Sequence, residues 1–160
     1  MKKRVPLFDE FIKEKAEYHF DDDDDECLLE MARIDNPKKD TELIGEVWVY
    51  GQDRSAMSPH FHYLKKDDKD GFSIELLLSN LSICNSKPRT GVDKNKLRTW
   101  EGLTKERKSL AMWLKSDNTD IPSISNYQSI ITAWNQNNRD NEISPKSREE
   151  CNEIVDKMLL

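Results

Sequence analysis

Two stretches decide the fold of this chain: Ser58-Pro59-His60-Phe61-His62-Tyr63-Leu64-Lys65 and Phe72-Ser73-Ile74-Glu75-Leu76-Leu77-Leu78. In the second, apolar residues at every other position alternate with Ser73 and Glu75, which is typical of a strand that buries one face. The first stretch also predicts a strand. Residues 66–71 between them are polar and end in a glycine, so we expect an antiparallel hairpin.

Two segments upstream of the hairpin also predict strands, at residues 27–34 and 43–50. The residues between them, 35–40, include Asn, Asp and Pro, which are typical of loops. In the second segment Val47 and Val49 alternate with Trp48 and Tyr50. Because both faces of this strand then carry large side chains, we expect it to be central in the sheet.

The second half of the chain predicts helices, because apolar residues recur there with a 3.6-residue period. Three apolar stripes mark them: Leu110, Trp113 and Leu114; Ile124, Tyr127, Ile130, Ile131 and Trp134; and Cys151, Ile154, Val155 and Met158. We expect Thr104 to cap the first helix and a capping box of Ser125 and Gln128 to begin the second. The third is expected to begin at Ser144-Pro145.

The order of these elements, strands first and helices after, indicates an α+β fold. We expect an antiparallel sheet of about four strands, with two to three helices packed on one face. In front of it, residues 1–20 predict an amphipathic helix with Phe8, Phe11, Ile12 and Ala16 on one stripe. Six consecutive acidic residues at 21–26 predict a solvated hinge. The α+β domain then spans 27–143, and a C-terminal helix spans 144–160.

Composition and charge argue against several classes of function. The 160 residues carry 25 Lys+Arg against 31 Asp+Glu, a net charge of −6, whereas nucleic-acid and anionic-membrane binders show a basic footprint. No apolar run approaches the ~18–20 residues of a transmembrane helix, and Asp9 and Glu10 interrupt any signal peptide. Cys27, Cys84 and Cys151 are too widely spaced for a disulfide framework or a zinc knuckle. We expect a cytoplasmic protein.

The histidine pair is the most informative chemical feature. Residues i and i+2 of a strand share a face, so His60 and His62 project together. Two adjacent imidazoles can hold a divalent transition metal, with Glu75 or Asp53 as third ligand. They can equally act as general acid and base, and histidines at a strand start also commonly bond backbone carbonyls. Two ligands alone do not define a site, so we expect no cofactor, with a transition metal as the alternative.

Pro59, His60 and His62 belong to a strand that is followed by a polar turn, an amphipathic strand and a Trp-containing helix. This arrangement resembles a small prokaryotic family with a Pro-Pro-His-x-His signature. Ser58 replaces the first proline of that signature. The resemblance covers roughly residues 44–135. It implies an accessory or interaction protein, since the family has no established activity and is often encoded in mobile elements beside small partner proteins.

Residues 7–14, Leu-Phe-Asp-Glu-Phe-Ile-Lys-Glu, are similar to the capsid-targeting leaders of proteins packaged in large tailed-phage heads. Such leaders are removed after a hydrophobic-x-Glu site, and Leu28-Leu29-Glu30 matches that site. An amphipathic helix that docks on its own domain explains the same residues, and the periodicity favours it. Cleavage after Glu30 would also cut through the first predicted strand.

We therefore expect a non-enzymatic accessory protein of phage or mobile-element type that binds another macromolecule, a protein rather than a nucleic acid. Candidate partner-binding residues are Phe8, Phe11 and Ile12 on the N-terminal stripe, and Trp134, Asn135 and Asn137 at a helix end. The amides at this end also suit a C-cap, because asparagine tolerates the left-handed conformation. Core packing is the ordinary explanation for Trp113 and Trp134.

Two alternatives remain open. One is a small histidine-based or metal-dependent hydrolase centred on His60 and His62, with Glu75 as a further candidate catalytic residue. The other is a virion-packaged protein with a capsid-targeting leader. With only 5 glycines, the chain has no glycine-rich phosphate loop and no Gly-x-Ser-x-Gly elbow.

Overall fold

The computed structural model describes residues 31–51, 58–67, 70–87 and 100–160. Within them, five strands form one antiparallel sheet in chain order: β1 (Met31–Arg33), β2 (Glu46–Tyr50), β3 (His60–Lys65), β4 (Phe72–Leu77) and β5 (Ile83–Lys87). Three helices follow: α1 (Thr104–Lys115), α2 (Asn126–Asn137) and α3 (Arg148–Met158), with a 3-10 turn, Arg139–Asn141, after α2. The α+β class is confirmed.

The expected hairpin is present. β3 and β4 pair antiparallel along their whole length, from His60 opposite Leu77 to Lys65 opposite Phe72. β2 is paired on both sides, as expected, but the middle strand is β3 because β5 extends the sheet beyond β4. β5 was not expected from the sequence, since its residues Ile-Cys-Asn-Ser-Lys show neither alternation nor strand preference. Its place is set by backbone pairing with β4.

The alternation of side chains divides the sheet into two faces. Two rows of three opposed residues cross β2, β3 and β4: an apolar row of Val47, Tyr63 and Ile74, and a histidine row of Trp48, His62 and Glu75. The apolar row belongs to the main hydrophobic core. Trp48 belongs instead to a second, smaller cluster with Leu64 and Tyr50.

The helices pack against the face of the apolar row. The hydroxyl of Tyr63 donates to the carbonyl of Glu106 in α1 at 2.8 Å, and that of Tyr127 in α2 donates to the carbonyl of Leu78 at 2.5 Å. Apolar residues of all three helices share one core with β2, β3 and β4: Leu110, Trp113, Leu114, Ile130, Trp134, Cys151 and Val155. The expectation that the helices cover one face is confirmed, as is the burial of Trp113 and Trp134.

The helix termini confirm one expected cap and correct two. The capping box of Ser125 and Gln128 begins α2 as expected. Thr104 is the first residue of α1 rather than its N-cap. The helix expected from Ser144-Pro145 begins later, because Ser147 has Glu150 three residues on to complete a capping box.

The C-terminal end of α2 also differs in detail. Asn138 caps it, but with φ −134° rather than in the left-handed conformation. The cap is therefore stabilised by hydrogen bonds of its side chain, described below, instead of by backbone geometry.

Several predictions fall outside the described residues. They are the N-terminal helix with Phe8, Phe11 and Ile12, the acidic hinge at 21–26, the cleavage site at 28–30 and the alternative ligand Asp53. None of the helices in the described ranges has the length and apolar character needed to cross a bilayer.

Candidate metal centre

β3 brings the two histidines together. His60 is its first residue and His62 its third, so their side chains leave the strand on the same face. The ring centroids lie 5.2 Å apart with a 56° angle between the planes. The expected proximity of the two imidazoles on an extended segment is thus present.

Glu75 completes a cluster of three. It lies on β4 directly opposite His62, and its Oε1 is 3.7 Å from Nε2 of His60. One donor atom from each of the three residues lies within 4.8 Å of the other two. Bonds of about 2.0–2.1 Å around a tetrahedral ion separate its ligand atoms by about 3.3 Å. Small side-chain rotations would therefore bring the three donors to one ion.

The cluster is largely shielded from solvent. His60 is 1% exposed and the side chain of Glu75 is 13% exposed, while His62 is half-buried. A carboxylate in such surroundings needs a positive partner, because burial removes its hydration. A protonated imidazole or a metal ion can each supply that charge.

The hydrogen bond of His60 fixes its tautomer. Its Nδ1 lies 3.0 Å from the backbone carbonyl of Ser58, and a carbonyl can only accept, so Nδ1 carries the proton. Nε2 is then the nitrogen directed towards Glu75. Metal-binding histidines usually donate their other ring N–H to a carbonyl or a carboxylate in this way.

Two aromatic side chains flank the histidines. Tyr50 of β2 stacks on His62, with centroids 4.3 Å apart and planes within 17°. The ring of Trp134 of α2 lies 5.3 Å from that of His60, at 53°. The imidazole orientations are therefore set by neighbours from a strand and a helix.

The helix end proposed for partner binding is used internally. Trp134 is 1% exposed, and its Nε1 donates to the carbonyl of Asn141 at 2.7 Å. The ring is enclosed between the core and His60, and a partner-binding role for this helix end stays a prediction. Asn135 donates to and accepts from the backbone of Ile143, and Asn137 donates to the carbonyl of Ala133.

The two described cysteines differ in their surroundings. Cys151 is buried in α3, and burial raises the pKa of its thiol to about 11, so it stays protonated at neutral pH. Cys84 of β5 is exposed, and its Sγ lies 3.4 Å from the carbonyl of Glu75. Cys151 is therefore not a thiolate nucleophile at neutral pH.

Sequence reasoning missed the contributions of Tyr50 and Asn138 to the site. The alternation in β2 places Tyr50 on the same face as Trp48. Because Trp48 lies opposite His62 in the register with β3, Tyr50 is then expected close to the histidines. No local pattern marks Asn138, whose partner Tyr50 is 88 residues away.

No protein-family model, curated protein or solved structure matches this chain. We therefore infer its function from the residues themselves.

Proposed function

We propose that this protein binds one divalent transition metal ion through His60, His62 and Glu75. The observation that carries the proposal is the convergence of three donor atoms, all within 4.8 Å of one another, on two adjacent strands. Two imidazole nitrogens and a carboxylate suit Zn²⁺ and its first-row neighbours, whereas Mg²⁺ and Ca²⁺ prefer oxygen ligands.

The surroundings of the cluster support this proposal. The Ser58 carbonyl holds the tautomer that leaves Nε2 of His60 available as a ligand. All three ligands come from the paired strands β3 and β4, and sites built on strands hold their geometry better than sites on loops. The donors are thus positioned before an ion arrives.

The same atoms also allow a purely structural role. A protonated His60 and an ionised Glu75 would form a buried ion pair that links β3 to β4, which requires no metal. The two interpretations differ in one measurable property, the metal content of the folded protein.

The test is metal analysis of protein purified without chelator, followed by titration of the metal-free protein with Zn²⁺ and Co²⁺. We expect close to one equivalent of bound metal, and a Co²⁺ complex with visible absorption bands from nitrogen and oxygen ligands. In His62→Asn and Glu75→Gln we expect at least 100-fold weaker binding, because each removes a charged or imidazole ligand.

Glu153→Gln is the matched control for Glu75→Gln, because Glu153 is an exposed carboxylate of α3 and is not part of the cluster. It should bind as the wild type does. Less than a tenth of an equivalent in the wild type, with no saturable Co²⁺ binding, would leave the ion pair as the role of these residues. Equal binding by Glu75→Gln would also contradict the proposal.

A second candidate function is metal-dependent hydrolysis, because sites with three protein ligands leave a position for water. Zinc-loaded protein would then hydrolyse activated esters or phosphodiesters faster than free Zn²⁺ does. The rate should rise with pH around 7, as the bound water ionises. Turnover no faster than that of free Zn²⁺, or equal turnover in Glu75→Gln, would reject this function while leaving metal binding intact.

The remaining expectations stay predictions of the sequence. They are membership of the Pro-Pro-His-x-His family, an accessory role in a phage or mobile element, a protein partner and a cytoplasmic location. A partner surface on the described residues would exclude Trp134 and would more readily include Met112 and Ile44, the large apolar side chains exposed on and beside α1.

A further inference from the structure

We infer that Asn138 is a positioning residue for the metal centre: its side-chain amide ties together the two residues whose rings hold His60 and His62. This inference rests on the proposed function. It concerns a residue with no contact to the ion itself, at the junction between α2 and the end of β2.

The amide of Asn138 makes two hydrogen bonds. Its Nδ2 donates to the carbonyl of Tyr50 at 3.1 Å and to the carbonyl of Trp134 at 3.0 Å. An amide NH₂ has two donor hydrogens, so both bonds form at once. Asn138 is 6% exposed, and loss of these donors would leave a buried carbonyl without its bond.

The two acceptors are the residues that flank the histidines. Tyr50 stacks on His62 at 4.3 Å, and Trp134 lies against His60 at 5.3 Å. One side chain thus connects the backbones of both aromatic neighbours. The Asn138 side chain joins the last residue of β2 to the last turn of α2. These are the ends of the two elements, where the regular backbone hydrogen bonds of a strand or helix stop.

The turn after Asn138 strengthens the same link. The N–H of Asn141 donates to the carbonyl of Asn138 at 2.9 Å, and the carbonyl of Asn141 accepts from Nε1 of Trp134 at 2.7 Å. The backbone and the ring of Trp134 are therefore both fixed through residues 138–141. The amide thus adds a polar connection between β2 and α2 at this point.

A metal centre is sensitive to such a connection. Its ligands must be held within about 0.5 Å and 10–20° of the productive geometry, and changes in residues that orient ligands commonly cost 10–100-fold in metal affinity. Loss of the Asn138 amide is expected to free Tyr50 and Trp134 to move, and with them the two imidazoles.

The test compares Asn138→Asp with Asn137→Asp in the full chain. Both substitutions remove an amide and add one negative charge at the same helix end, but Asn137 donates only to the carbonyl of Ala133 within α2. We expect Asn138→Asp to bind Co²⁺ and Zn²⁺ 10–100-fold more weakly and to alter the visible spectrum of bound Co²⁺. Asn137→Asp should bind within about 3-fold of the wild type with an unchanged spectrum.

A third variant separates positioning from loss of stability. Val155→Ala creates a cavity in α3, which packs on α1 and α2 rather than on β2 or β3. It should lower the thermal midpoint at least as far as Asn138→Asp does, yet keep the wild-type Co²⁺ affinity and spectrum. An equal loss of affinity in both variants would overturn the positioning role, as would wild-type binding by Asn138→Asp.

Nuclear magnetic resonance of the metal-free proteins keeps this inference distinct from the proposed function. The imidazole signals of His60 and His62 should shift in Asn138→Asp and stay in place in Asn137→Asp. If the wild type binds no metal, the proposed function fails, and so does the metal role of Asn138. Shifted imidazole signals in Asn138→Asp would still show that Asn138 orients the histidines. Unshifted signals would reject that as well.

Discussion

On the helix-covered face of the sheet, the apolar row of Val47, Tyr63 and Ile74 is almost fully buried in one continuous core. One residue away on each strand, and on the opposite face, the histidine row of Trp48, His62 and Glu75 combines an indole, an imidazole and a carboxylate. The two rows share the same three strands and the same register, but they lie on opposite faces and differ in side-chain chemistry.

The apolar face is expected to contribute mainly to the stability of the fold, and the histidine face mainly to its chemistry. Apolar side chains stabilise through the area they remove from water, which depends little on their exact orientation. The proposed metal centre would depend on the orientation of its ligands, and on that face Tyr50 and Trp134 contact the two imidazoles. Substitutions on the two faces should therefore have different measurable effects.

The largest expected effect is at the two buried tryptophans of the helices. Trp113→Ala and Trp134→Ala should each lower the free energy of unfolding by about 3–5 kcal/mol in denaturant titrations, because both rings are buried. Only Trp134→Ala should also change the Co²⁺ spectrum, since only Trp134 contacts His60. A cost below about 1 kcal/mol for either variant would contradict its place in the core.

Neighbouring residues on opposite faces of β4 give the most direct comparison. Ile74→Ala should lower the free energy of unfolding by about 2–5 kcal/mol. Zinc at 100 times its dissociation constant for the wild type should stabilise the wild type and Ile74→Ala alike, by about 2.7 kcal/mol, and Glu75→Gln by no more than about 0.4 kcal/mol. Stabilisation of Glu75→Gln by zinc to the same extent as the wild type, in thermal unfolding, would contradict the assignment of the two faces.

A smaller, pH-dependent effect is expected at Asp35, which lies buried beside β2. It accepts two hydrogen bonds from Arg33, each 3.0 Å, and one from the N–H of Val47 at 2.9 Å. Burial nevertheless raises the pKa of Asp35, and the Arg33 guanidinium opposes this only in part.

A carboxyl whose pKa is raised on folding gives stability below its unfolded pKa, about 3.9, and loses it as pH rises through the folded pKa. In Asp35→Asn the side chain at this position has no carboxyl group that titrates over this pH range. The free energy of unfolding of the wild type, relative to this variant, should therefore fall as pH rises from about 4. A relative stability that increases over this range in urea titrations would mean that Arg33 lowers the pKa instead.

The smallest effect is expected at the exposed start of α3. Ser147→Ala should cost about 1 kcal/mol of unfolding free energy, because it removes one half of the capping box. Ser144→Ala is the matched control and should change little. The pKa of Glu150 lies below its usual range, chiefly because of its hydrogen bond with the backbone N–H of Ser147 and also because of the one with the Ser147 side chain. The free-energy cost of Ser147→Ala should therefore shrink as pH falls through this pKa.

Much of the fold was predictable because its signals are local. The alternation in residues 72–78 and the stripe in α2 each involve side chains within a few positions of one another, which is the range over which strand and helix periods act. The capping box of Ser125 and Gln128 is local in the same sense. Strand β5 was not predictable, because its pairing is chosen by the free edge of β4 and not by its own side chains.

The site was predictable only in part. The i, i+2 spacing of His60 and His62 placed both on one face, and the neighbouring strand offered Glu75. The role of Trp134 was not settled by its helical stripe, since the same residue packs in the core and contacts His60. That double role arises where α2 ends against β2.

By itself the sequence determined which face of each element is apolar, where the hairpin turns and which two imidazoles stand together. Only the tertiary structure decided which carboxylate faces them, which rings flank them and that Asn138 joins the backbones of the two residues that carry those rings. The physical reason is range: periodicity records contacts between residues a few positions apart, whereas the bond from Asn138 to Tyr50 forms only after sheet and helix have packed.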